Sequence, residues 1–124
     1  NNDIPQLPPN KEHTDSIIKF SSSWNSDTPI VIHCWCGVSR SMATATYLMC
    51  KIDNSDIDKN IRYIRSIAPH ANPNKVLISL FENSLNLNNR ISLAFAKYPH
   101  TKAYDCEVNF APITIFNIND MKGF

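Results

Sequence analysis

The 124-residue chain lacks an excess of charge of either sign: twelve Lys and Arg against eleven Asp and Glu leave a formal net charge of +1. So balanced a chain offers no electrostatic footprint for nucleic acid or for an anionic membrane surface, and neither partner is expected. It also lacks any apolar run near the roughly 20 residues of a bilayer span, and no secretory leader precedes its first strand-like segment. There is no internal repeat and no low-complexity tract. Metal-ligand patterns are thin: His33-Cys34-x-Cys36 has no second Cys-x-x-Cys or His pair to complete a tetrahedral site, so neither a metal nor another cofactor is expected. The four cysteines, Cys34, Cys36, Cys50 and Cys106, do not read as a disulfide framework. With 43% hydrophobic residues the chain is long enough for one core, and residues 1–124 read as a single domain.

Against that background one segment stands out. Val31-Ile32-His33-Cys34-Trp35-Cys36-Gly37-Val38-Ser39-Arg40-Ser41 passes from β-branched residues into a Gly-containing turn and then a helical stretch, with an Arg six positions after the first Cys. A loop joining strand to helix turns successive backbone N–H groups inward, and the helix N-terminus adds partial positive charge. Arg40 supplies a planar fork that grips two phosphate oxygens at once, which Lys would do poorly. Gly37 permits the backbone conformation that points amides into the loop. The same donors favour a thiolate at Cys34, because thiol pKa values fall from ~8.5 to roughly 3.5–7.5 in such settings, leaving a nucleophile suited to phosphorus. A Cys ending a Val/Ile strand is ordinarily a small buried hydrophobe. Here Gly37, Arg40 and Ser41 stand at offsets that all serve one anion site. A working thiolate requires a reducing compartment, so a cytoplasmic location is expected.

His33-Cys34, five residues, then Arg40-Ser41 resembles the signature loop of the protein tyrosine phosphatase superfamily, the Cys-x5-Arg phosphatases. The whole loop is similar to those of compact dual-specificity phosphatases and small bacterial tyrosine phosphatase-like proteins. Pro73-Asn74 followed by Val76, Leu77 and Leu80 resembles a helix start downstream of the loop in the same enzymes, so the resemblance runs from Asp3 to Leu85. It implies an α/β fold, a phosphatase-type parallel sheet flanked by helices. It also implies that the backbone of Trp35, Cys36, Gly37, Val38, Ser39 and Arg40 holds the phosphoryl oxygens. By position, the Ser41 hydroxyl would stabilise the departing thiolate and His33 would tune the Cys34 pKa; a core histidine satisfied by backbone is the other reading of His33. Members of the superfamily carry several strands and a helix ahead of their acid loop, and a lone parallel strand leaves both edges unpaired, so the N-terminal strands are expected to be missing from this chain, before Asn1, the alternative being strands recruited from a partner.

Phosphate-ester cleavage also needs an acid for the leaving oxygen. Asp3, Asp15 and Asp27 are the candidates. Asn10 to Ser23 reads as a helix with Ile17, Ile18, Phe20 and Trp24 apolar, and Thr28 to His33 as a strand, together half of a crossover unit whose helix begins near the ligand edge of the sheet. Asp27 precedes the strand, about 17 Å or more from Cys34 at 3.3 Å per residue, and reads as a solvated turn residue. Asp15 falls inside the helix. Asp3 sits in the Pro-rich segment before it, on the edge of the cradle, where the superfamily keeps its general acid; the plain alternative is a solvated loop Asp.

Downstream the chain reads as helical. Arg40 to Lys51 is mostly apolar, as for a helix buried behind an active site. Ser55-x-x-Asp58 is a capping-box-like start for a helix to Ala68, ended by Pro69; Asn72-Pro73 supplies N-cap and first position for another to about Leu87; Arg90 to Tyr98 makes a further helix after the Asn88-Asn89 break. Val108 to Ile118 is β-branched and aromatic but interrupted by Pro112, an edge strand or an extended tail.

The reading expected from these observations is a cysteine-dependent protein tyrosine or dual-specificity phosphatase working through a phosphocysteine without metal. Lipid-directed relatives carry Lys within the loop, whereas Trp35, Val38 and Ser39 are uncharged, so the expected partner is a phosphorylated protein or another phosphomonoester. The alternative from a different class is a phosphate-ester binding module, a pseudophosphatase. A rhodanese-like sulfur carrier fits less well, given His33, Ser41 and the five-residue spacing. Cys36 occupies a position where the superfamily usually has a small residue; its plain reading is a neutral small side chain facing the core, and the chemical one is a bond to Cys34 formed reversibly by peroxide, although so small a ring would be strained.

Overall fold

The computed structural model describes residues 9–124. Asn10 is the N-cap of α1 (Lys11–Ser21), its side chain accepting from the His13 amide while the His13 ring accepts from the Asn10 amide. The loop containing Cys34 leads into α2 (Arg40–Ile52), whose Met42, Ala43, Thr46, Tyr47, Leu48, Met49 and Cys50 are all buried. A helix buried nearly all round belongs at the centre of a bundle. Asp53 ends it with an extended backbone, and its carboxylate accepts from the amide and hydroxyl of Ser55 and from Lys59 Nζ.

Three further helices wrap this centre. In α3 (Ile57–Ile67), Ile57, Ile61, Tyr63 and Ile64 recur at helical spacing and are buried. Next come α4 (Lys75–Leu85), closed by Asn86 in the left-handed region, and α5 (Arg90–Lys97), entered through Asn88 and Asn89, both with positive φ. Asn tolerates that region better than most side chains, so these residues terminate one helix and aim the next. A short α6 (Ile118–Lys122) ends the chain. α2 packs on α4 and α3, α5 bridges α3 and α4, α1 covers α4, and α6 lies on α3. The central contact is Tyr47 stacked on Phe81, ring centroids 4.5 Å apart. Buried Glu82 accepts from the Ser92 amide, tying α4 to the first turn of α5.

The expected parallel sheet is not there: among the described residues the regular structure is entirely helical. Thr28 to His33 forms no strand: Thr28 lies in a bend, the rest is irregular and makes no backbone hydrogen bond to another described segment, and Val31 is 87% exposed. β-branched residues favour extended backbone, yet a strand becomes part of a sheet only when a neighbour completes its ladder, and no described segment does. Val108 to Ile118 likewise is no edge strand; it leaves a turn at Val108, runs irregularly past Pro112 and ends in α6, an element the sequence reading missed. Smaller corrections concern caps. Asp56, not Ser55, caps α3 by accepting from the Lys59 amide, and Asn74, not Asn72, caps α4 by accepting from the Leu77 amide. Phe20, expected on the apolar face of α1, points to solvent. No described helix is long and apolar enough to cross a membrane.

Candidate active site

The loop between residues 28–33 and α2 is built around Cys34. Gly37 adopts φ +81°, a conformation that side chains with a Cβ rarely take, and this turns the chain back toward the sulfur. Cys34 Sγ lies 3.3 Å from Ser41 Oγ, so with the thiol ionised the buried hydroxyl donates to sulfur. Partial burial pushes the thiol up. The Ser41 hydroxyl and the backbone amides of Ser41, Gly37 and Cys36 outweigh it, and the net result is a thiol lowered to about 6. Cys34 is therefore largely thiolate at neutral pH, half-exposed at the mouth of α2, with backbone donors converging on it.

The C-terminal side of the loop is fixed to the bundle. Ser39 caps α2 with its carbonyl, which accepts from Ala43 N at 3.0 Å and from Asn74 N at 3.2 Å, and the Val38 carbonyl accepts from Asn72 N at 2.9 Å. Those bonds set the approach of the segment before α4 and explain why it begins two residues later than Asn72 suggests. Arg40 is the first residue of α2, exposed, and makes no ion pair among the described residues, so its guanidinium is available to an incoming anion. Trp35 is 70% exposed at the rim, edge-on to Phe110 at 5.7 Å.

The remaining sequence candidates fall elsewhere. His33 is exposed and is not among the groups that hydrogen-bond Cys34. Asp3, the expected acid, lies outside the described residues. Asp15 is paired with Lys11 on the exposed face of α1, and Asp27 sits in an exposed turn beside Asn25. Sequence reasoning also missed His70, a buried ring edge-on to Tyr104 whose pKa is lowered by desolvation and by the charges of Arg65 and Lys102, with the Gly37 backbone pulling the other way. His70 thus lies against the Gly37 turn. Arg65 fixes this corner by donating to the carbonyls of Ala68, Pro69, Ala71 and Tyr98.

The cysteines overturn an expectation. Cys36 is bonded not to Cys34 but to Cys106, 70 residues away, with Cα atoms 5.5 Å apart, and Cys34 and Cys50 remain free. The Cys36 side chain is buried. Comparison with protein-family models, with curated proteins and with solved structures finds no match to this chain.

Proposed function

We propose that the chain is a cysteine-dependent phosphomonoester hydrolase of the Cys-x5-Arg type, acting on phosphorylated protein or another phosphomonoester. The observation that carries this is the convergence of the Ser41 hydroxyl and three amides on Cys34 Sγ, with Arg40 opening the adjacent helix. The support is the loop, not the helical fold around it. The Cys34 thiolate attacks phosphorus while the loop amides and Arg40 hold the oxygens, whose charge is spread in the transition state. The P–O bond to the leaving group breaks and that oxygen takes a proton from an acid, for which Asp3 is the proposed residue. Water, deprotonated by the same carboxylate, then attacks the phosphocysteine, releasing phosphate and the thiolate, which the Ser41 hydroxyl receives.

p-Nitrophenyl phosphate tests this. Turnover is expected to survive excess chelator and to vanish in Cys34→Ser and Arg40→Lys; activity that persists in Cys34→Ser, or that chelator abolishes, overturns the mechanism. Binding of inorganic phosphate at Cys34 with no ester cleavage would instead favour the pseudophosphatase reading.

A further inference from the structure

We propose that the Cys36–Cys106 disulfide is a covalent strap holding the phosphate cradle in its anion-receiving form, with Cys106 a positioning residue, so that anion binding at Cys34 follows the redox state of this bond. The proposal rests on the reading of the loop as a phosphate cradle. It starts from an asymmetry. The C-terminal side of the loop is hydrogen-bonded to the bundle through Val38 and Ser39, whereas the residues leading into Cys34 make no backbone–backbone hydrogen bond among the described residues and touch the core only through half-buried Ile30 and Ile32. At the turn itself the covering contacts come from the segment before α6: Cys106 is bonded to Cys36, Ala111 N donates to the Cys36 carbonyl at 3.0 Å, and Phe110 packs against Trp35. A Cβ at Gly37 would meet Ala111 Cβ at 3.6 Å, so the segment also lies against the positive-φ turn itself.

Beyond these contacts, residues 104–111 are held by Tyr104, edge-on to buried His70 at 5.4 Å. Their own bonds are a local turn in which Val108, Asn109 and the Glu107 amide donate to Asp105, and Val108 and Phe110 are exposed. One backbone hydrogen bond and two aromatic edges, Phe110 on Trp35 and Tyr104 on His70, offset little of the entropy of ordering a segment of that length, so the covalent bond decides whether it stays on the cradle. Two of the amides directed at Cys34, those of Cys36 and Gly37, belong to the residues the strap fixes. Opening the bond with a dithiol transfers two electrons and two protons to Cys36 and Cys106, leaves the reagent as its cyclic disulfide, and consumes no part of Cys34.

The test compares the disulfide-bonded and dithiol-reduced forms of the unmutated chain, with peptide-resolved iodoacetamide alkylation of Cys34 against pH, inorganic phosphate binding, and circular dichroism. On reduction the Cys34 alkylation midpoint is expected to rise by about one pH unit or more and phosphate affinity to fall about tenfold, the scale of one or two lost hydrogen bonds, with helix content unchanged. Cys106→Ser should match the reduced form with or without dithiol. Equal midpoints and affinities in the two redox states overturn the strap, whatever Cys106→Ser does. Ester hydrolysis at one rate in both states would sink the strap and leave the hydrolase standing; a redox-dependent midpoint in a chain that cleaves no ester would do the reverse.

Discussion

Cys34 and Cys50 flank the same helix, one in the loop at its start and one near its end, and their surroundings drive them in opposite directions. At Cys34 partial burial is outweighed by a hydroxyl and three amides, and the thiol is lowered to about 6. At Cys50 burial dominates, with the Asp53 and Glu82 charges adding to it, and even the Asn60 side chain 3.9 Å away leaves the thiol pushed up to about 12. The difference lies in where backbone donors point. Inside α2 they are used up by the helix's own carbonyls, whereas the loop ahead of it has unspent N–H groups, and the Gly37 turn aims them at one atom. The bundle thus supplies rigidity and an inert interior, and the loop supplies the reactivity.

The largest effect expected from breaking that division is in the bundle. Phe81 is fully buried and stacked on Tyr47 at the α2–α4 contact. Phe81→Ala should cost about 3–5 kcal/mol, read as a lower denaturant midpoint with unchanged slope. In the fraction still folded, the Cys34 alkylation midpoint should stay where it was, since the loop donors do not touch Phe81. A midpoint that moved with Phe81→Ala would show that core packing sets the cradle.

How far the two regions were legible in the sequence follows the same line. Cys34, Gly37 and Ser41 are neighbours along the chain, so their spacing alone pointed to the loop whose donors converge on Cys34. The helices were legible too, because burial at Ile57, Ile61 and Ile64 or at Met42, Thr46 and Met49 follows a local period. The sheet was misread because Thr28 to His33 carries a strand's composition without a partner, and pairing is not a local property. Cys106 lay hidden for a similar reason: nothing around it distinguishes a cross-link 70 residues away from a lone thiol. His70 could have been suspected only from its place between Pro69 and Ala71, at the turn before α4.

A second, smaller effect separates the two thiols by pH. The Cys50 thiol is raised in the folded chain, so the stability its neutral form contributes is fully present below the ordinary thiol value of ~8.5 and is lost as pH rises toward 12. The denaturation midpoint of the parent should therefore fall more steeply between pH 9 and pH 11 than that of Cys50→Ala, the pH limits being about those of the titration. At about pH 8, iodoacetamide should modify Cys34 and spare Cys50 until the chain unfolds. Equal alkaline slopes in parent and variant would mean that Cys50 is not buried as described.

The smallest effect tests the loop one donor at a time. Ser41 is buried at the first turn of α2, and its hydroxyl is the one side-chain donor among the groups that lower Cys34. Replacing it with Ala removes a hydrogen bond to a charged acceptor but leaves the amides of Ser41, Gly37 and Cys36 in place, since backbone survives the substitution. The Cys34 alkylation midpoint should accordingly rise from about 6 by about one pH unit, a hydrogen bond's worth, and stop short of the ordinary thiol value. The direction follows from the thiolate being the favoured form: a lost donor to sulfur makes the proton harder to remove. If the chain hydrolyses phosphate esters, the same variant should slow breakdown of the phosphocysteine more than its formation, because the hydroxyl receives the departing thiolate, and a burst of nitrophenol would precede a slower steady rate. An unmoved midpoint would remove Ser41 from the site, whereas a midpoint near ~8.5 would assign it the whole shift and leave the converging amides with no part in holding the thiolate.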